Sequence, residues 1–150
     1  MGSYKLYVPI YLKLSKKETK KKKGKLVKTK TYSLNLNQYK TWHYQTSNKL
    51  KKKFKEEIEP QLDELKKLLK NELLQSPLTL NFNYHPGDKR RSDLDNFCTV
   101  SCKFLLDALK EHKLIEDDSY KHVVALNFEI GIMNRENPGM EITIQDQCSF

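Results

Sequence analysis

Apolar residues alternate with polar ones in several stretches of this chain and recur at helical spacing in others. Leu78, Leu80, Phe82 and Tyr84 alternate with Thr79, Asn81 and Asn83, the period of a half-buried strand. Val124, Leu126, Phe128, Ile130 and Ile132 repeat the pattern, as do Met140, Ile142 and Ile144. The turn signal Asn137-Pro138-Gly139 lies between these last two and predicts a hairpin. Tyr4 to Leu14 reads as a further strand, and Pro9 suits a sheet edge or an irregularity. Tyr32 to Asn37 reads as a short strand running into a helix start, with Asn37 as N-cap. Tyr39, Trp42, Leu50, Phe54 and Ile58 predict a helix over 38–58, which Pro60 should end or kink. Leu62, Leu65, Leu69 and Leu73 continue at helical spacing to about Leu74. A last helix, from Asp95 or a neighbour to about His112, carries Phe97, Val100, Phe104, Leu105, Ala108 and Leu109 on its apolar face. The expected fold is α+β: one domain over 1–150 with a small mixed or antiparallel sheet and helices on one face.

Composition adds that the core is thin. Only 37% of the residues are hydrophobic and mean hydropathy is −0.76, so dimerisation would help to stabilise the domain. The charge of +9 is unevenly spread. Residues 1–75 hold 20 Lys and Arg against 7 Asp and Glu, and residues 76–150 hold 8 against 12. Clustered lysines neutralise phosphates and release counterions, whereas clustered carboxylates hold a hard cation. Ser15 to Lys30 contains nine Lys, including Lys20, Lys21, Lys22 and Lys23, and a single acid, Glu18. Having little to bury, 15–31 is expected to be a flexible basic loop, either a solvated charge run or an arm that contacts DNA backbone. No apolar run is long enough to span a membrane, and no signal-peptide core follows Met1. Cys98, Cys102 and Cys148 are odd in number and lack zinc spacing, so free thiols and a cytoplasmic location are expected.

The acidic half contains Asp93-Leu94-Asp95 at a helix entrance and Asp117-Asp118 after that helix, with Arg90-Arg91 just before the first pair. In extended backbone, residues i and i+2 point to one side, so Asp93 and Asp95 can face one cation. Phosphodiester cleavage needs negative charge stabilised on the scissile phosphate and hydroxide generated near neutral pH, and Mg²⁺ supplies both. Such an ion takes hard oxygen ligands and keeps some waters. Positive groups must lie close by, because carboxylates alone repel DNA. An EF-hand does not fit, since no loop of that spacing is present. Asn96 is expected to orient the acids or cap the helix. His43 reads as structural, and His85, His112 and His122 as surface residues rather than ligands.

Arg90-Arg91-Ser92-Asp93-Leu94-Asp95-Asn96, then Lys103, Asp107-Ala108-Leu109 and Asp117-Asp118 resemble the signature of RusA-type Holliday junction resolvases. The match is good over 78–132 and loose over 32–58, and the lysine-rich segment lies outside it. The resemblance implies a RusA-like fold and a Mg²⁺-dependent homodimer that cuts four-way junction DNA by paired nicks in recombination and repair. It further implies that Asp93, Asp95 and Asp118 are the essential, metal-holding acids and that a Lys assists. The family's Lys follows D-x-D-N by about three residues, where this chain has Thr99. Counting back from Asp107 instead gives Lys103, with one extra helical turn before it. Lys103 is preferred, because the interval from Asp107 to Asp118 then needs no gap. Arg90, Arg91, Lys20 to Lys23 and Lys51, Lys52 and Lys53 are the expected DNA contacts. The small, lysine-rich chain would suit a phage or prophage recombination gene, by analogy. The main rival is a protein that binds branched DNA without cutting it, which needs the basic surface but not the acids. Further rivals are an interaction protein whose charge only keeps it soluble and a nuclease for other branched or flapped DNA.

Overall fold

A computed structural model of the chain describes residues 2–17, 27–89 and 93–146. The elements are β1 (Gly2–Pro9), β2 (Tyr11–Lys17), β3 (Val27–Ser33), α1 (Leu36–Tyr39), α2 (Tyr44–Leu68), β4 (Leu78–His85), α3 (Leu94–Glu111), β5 (Val123–Ile130) and β6 (Gly139–Asp146). The fold is α+β, with a four-stranded mixed sheet in the order β1-β6-β4-β5, a separate β2–β3 hairpin and three helices.

The sheet is built by its alternation. On β4, Leu78, Leu80, Phe82 and Tyr84 are buried and the residues between them are partly exposed. Their neighbours on β6, Met140, Ile142 and Ile144, are buried with them. Leu6 and Val8 of β1 complete the apolar face. Leu50, Phe54, Ile58, Leu62 and Leu65 of α2 and Phe97, Val100, Phe104, Leu105 and Leu109 of α3 pack into the same core. The opposite face is polar, with Lys5 paired to Glu141 at 3.7 Å and Asn127 donating to Asn81 at 2.6 Å. The expectation of helices on one face therefore holds.

Several boundaries differ from the periodic reading. The strand over Tyr4–Leu14 is two strands, because the chain bends at Ile10, whose carbonyl accepts from Leu34. Part of the expected basic loop is paired instead: β2 and β3 run antiparallel from Tyr11↔Ser33 to Lys17↔Val27. The hairpin ladder satisfies its backbone groups despite the charge. The segment 18–26, with Lys20, Lys21, Lys22 and Lys23, lies outside the described residues. The N-cap at the first helix is Asn35 rather than Asn37, its side chain accepting from Gln38 N at 2.8 Å. The helix expected over 38–58 is α1 followed by α2, whose N-cap is His43. Trp42, between them, packs against Tyr32, Tyr39 and Phe104. Pro60 lies inside α2 without ending it. It costs the hydrogen bond to the Glu56 carbonyl, but both residues are exposed and water can serve that carbonyl, while the buried stripe holds both sides. The helix stops at Leu68, short of Leu74, and Lys70 and Asn71 take positive φ.

The expected β5–β6 hairpin is absent. β5 pairs in parallel with β4, joined to it by α3, and β6 inserts between β4 and β1. The chain crosses the end of β4 through 131–138, tied there by Gly131 N to Tyr84 O at 2.6 Å and Asn134 N to Pro86 O at 2.8 Å. Alternating residues describe a strand without naming its neighbour, and the turn signal marked a crossing.

Candidate active site

β4 and α3 place the D-x-D motif. Asp93 is the N-cap of α3, with extended backbone at φ −67 and ψ 140, and its side chain makes no capping bond. Asp95 lies in the first turn, where a carboxylate is favoured by the helix dipole. Both are exposed. Asn96, expected to orient the acids or cap the helix, accepts from Leu36 N at 3.0 Å through its Oδ1 and pins the start of α1 to the start of α3.

Lys103 is exposed two turns further along α3, whereas Thr99 is half-buried. Its Nζ stands 5.8 Å from the centre of the Tyr39 ring of α1, an attraction between cation and ring face. Asp107 pairs with Lys51 of α2 at 3.3 Å rather than with Lys103.

Asp117 and Asp118 differ in their attachments. Asp117 pairs with Lys110 at 3.7 Å. Hydrogen bonds, first from the Asp118 backbone and then from the Ser119 side chain, hold its carboxyl below the usual range. Asp118 is exposed, and its charge reaches back to the middle of α3, where it helps to raise the Cys102 thiol. One turn earlier Asp95 does the same to Cys98, and Lys103 acts on Cys102 in the opposite sense. Asp93 and Asp95 thus stand at the head of α3, Lys103 lies two turns along it, and Asp118 is close enough for its charge to be felt at Cys102. The thiols beneath are buried, and desolvation is the main cause of their rise, to about 12 for Cys98 and about 11 for Cys102.

Among the described residues one trio of possible ligands has its donor atoms within 4.8 Å of one another: Glu59, Asp63 and His112. Asp93, Asp95 and Asp118 do not form such a trio. In the close trio His112 Nε2 lies 2.8 Å from Asp63 Oδ1, and Lys66 donates to the His112 carbonyl at 2.9 Å. Together these bonds clasp the end of α3 to α2. The sequence alone presents His112 as a surface residue. The i,i+4 spacing of Glu59 and Asp63 was visible, but nothing local pointed to a histidine from another helix.

Arg90 and Arg91 lie outside the described residues, as do Lys20 to Lys23 and Cys148. Lys51 is in its ion pair with Asp107, and Lys52 and Lys53 sit beside it on α2. Among the described residues no helix is long and apolar enough to cross a membrane. No protein-family model matches the chain, and no curated protein matches it.

Proposed function

We propose that this chain is a Mg²⁺-dependent endodeoxyribonuclease that resolves four-way DNA junctions in recombination and repair, in the manner of the RusA-type enzymes its motif resembles. One observation carries the reading: Asp93 and Asp95 are exposed together at the head of α3, and the charge of Asp118, which follows the whole helix and a loop, is felt at Cys102 on that helix beside Lys103. Asp93, Asp95 and Asp118 are exposed carboxylates, a donor set of hard oxygens that fits a hard divalent ion. A bound Mg²⁺ supplies charge stabilisation at the phosphate and lowers the pKa of an attacking water. Asp93, Asp95 and Asp118 would hold that ion, and their carboxylates would accept hydrogen bonds that orient the attacking water. Lys103, steadied over Tyr39, sets its ammonium against the phosphate oxygens where charge develops. Arg90 and Arg91 draw the strand toward the acids.

A homodimer belongs to this proposal, because two sites related by a two-fold axis match a substrate with two-fold symmetry. What supports it is the outer edge of the sheet. Strand β5 is an edge strand, and Val124, Leu126 and Ile130 on it are large apolar residues left exposed, with Ile132 just beyond at 83%. Edge strands of this kind pair readily with another chain. Free buried Cys98 and Cys102 suit a reducing compartment, and a cytoplasmic location is part of the reading.

The alternative is a protein that binds branched DNA without cutting it. It is favoured by the spacing of the three acids, which are not gathered within 4.8 Å. A cruciform cleavage assay with and without Mg²⁺ separates the two. The nuclease reading expects paired nicks that need Mg²⁺, and a loss of at least about 100-fold in Asp93→Asn and Asp118→Asn, since each removes a charged ligand. Equal cutting by these variants, or junction binding without any nick, would overturn it.

A further inference from the structure

The lysines of α2 divide between two flanks. Leu50, Phe54 and Ile58 are fully buried and fix the inward face. Lys51 and Lys55, one turn apart, fall on the flank toward α3. There Lys51 meets Asp107 at 3.3 Å and Lys55 meets Glu111 at 3.4 Å. Lys49 and Lys53 fall on the other flank, and Lys52, at i+3 from Lys49, stands between the two and borders the hollows on both sides. Among the described residues none of these three has a carboxylate partner.

That second flank faces the β2–β3 hairpin across a cleft of about 330 Å³, lined by Leu14, Tyr32, Lys49, Lys52 and Lys53, with Glu56 the single acid among its described lining residues. At Tyr32 and Thr46 it meets a second hollow of about 360 Å³, which Lys30, Gln38, Thr41 and His43 help to line. Lys30 shares a face of the hairpin with Tyr32, and its Nζ stands 5.0 Å above that ring. No acid occupies the first turn of α2, so the positive end of its dipole opens on this hollow uncompensated. Adjoining at Tyr32 and Thr46, the two hollows make up a channel whose described lining carries four lysines against one glutamate.

We propose that this channel binds a stretch of DNA sugar-phosphate backbone at a locus separate from the carboxylates of α3, and that Lys51 and Lys55 take no part. The proposal rests on the DNA reading above but not on cleavage. Ammonium groups, hydroxyls and a helix N-terminus are the donors that grip phosphates. Tyr32 is buried, and Trp42 is packed against Tyr32, Tyr39 and Phe104, so the channel offers charge rather than a free stacking surface. Binding is therefore independent of sequence and sensitive to salt.

The test is fluorescence anisotropy of the full chain on a short linear DNA duplex, over a salt series and without divalent ions. A triple variant Lys49→Gln, Lys52→Gln, Lys53→Gln is compared with the double variant Lys51→Gln, Lys55→Gln. The triple variant should lose at least about tenfold in affinity near 0.1 M salt, and its log K against log salt slope should become shallower by roughly two to three. The double variant should stay within about twofold of the parent, and Lys→Arg at the three channel positions should restore binding. Should the triple variant melt early, Lys52→Glu at an exposed position carries the same expectation, at about threefold. Parent-like binding by the channel variants, an equal loss in the double variant, or RNA of the same sequence bound about tenfold more tightly than DNA would overturn the proposal. With no divalent ion present and binding as the readout, a chain that cuts nothing still passes or fails on the channel alone.

Discussion

At the end of β6 the Asp146 carboxylate, 2% exposed, accepts from Gly2 N at 2.9 Å and from Gln75 N at 3.2 Å. It thereby joins the start of β1 and the connection before β4 to the strand between them. Asp146→Ala strands these donors beside an apolar interior, and should cost roughly 1–3 kcal/mol in urea-melt stability. An unchanged midpoint would show that water takes its place. The thiols of Cys98 and Cys102 titrate far above their ordinary 9.0, raised mainly by burial. The folded state therefore keeps protons that the unfolded chain gives up first, and it loses stability as pH rises. Stability from this source should be whole below pH 9 and fall away through about 11 and 12. Iodoacetamide labelling read by mass spectrometry should leave both residues unmodified at pH 8 in the native protein and modify them after unfolding. Rapid native labelling would contradict their burial.

Between elements, Asn96 acts as a pin, and through it α1 is fixed where Tyr39 can sit under Lys103. Asn96→Ala leaves the Leu36 N–H without its acceptor. A stability loss of about 1 kcal/mol is expected, together with a fall in cleavage larger than the fall in junction affinity. If both stay at parental levels, α1 does not position Lys103. The elements themselves were largely legible in the chain: β4, α3, β5 and β6 announce themselves by strict periods of two or 3.6. Their neighbours were not. Nothing in Met140, Ile142 and Ile144 says that β6 lies between β1 and β4, because the same alternation serves any neighbour with an apolar face. The α1–α2 break was hidden because Tyr39 and Trp42 continue a helical spacing while serving an aromatic cluster around Phe104. The motif acids were legible as chemistry, whereas their approach to α3 depends on the fold of 112–122. The pairing of Lys51 with Asp107 was invisible, since the partners lie on different helices.

For the whole molecule, charge and apolar surface lie on different sides of the fold. Lysines gather at the hairpin and α2, the motif acids lie at the head of α3 and in the loop after it, and the bare apolar edge is β5. Leu126→Lys with Ile130→Lys should convert a dimer to monomer in analytical ultracentrifugation without lowering the melting temperature, because both side chains are already exposed at 45% and 63%. A parent chain that sediments as a monomer at all concentrations would remove the dimer from the proposal.

The insertion of β6 between β1 and β4 also bears on how the chain reaches its native state. Its pairing with β1 joins Gly2 to Asp146, and Val8 to Met140, so half of the sheet's antiparallel ladder closes loops spanning almost the whole sequence. Such contacts give little reward until late, and refolding should be slow, in the millisecond-to-second range typical of non-local topologies. Stopped-flow Trp42 fluorescence would time it. Until β6 arrives, β1 and β4 are open-sided strands, so chaperone demand and aggregation should peak during synthesis rather than in the finished protein.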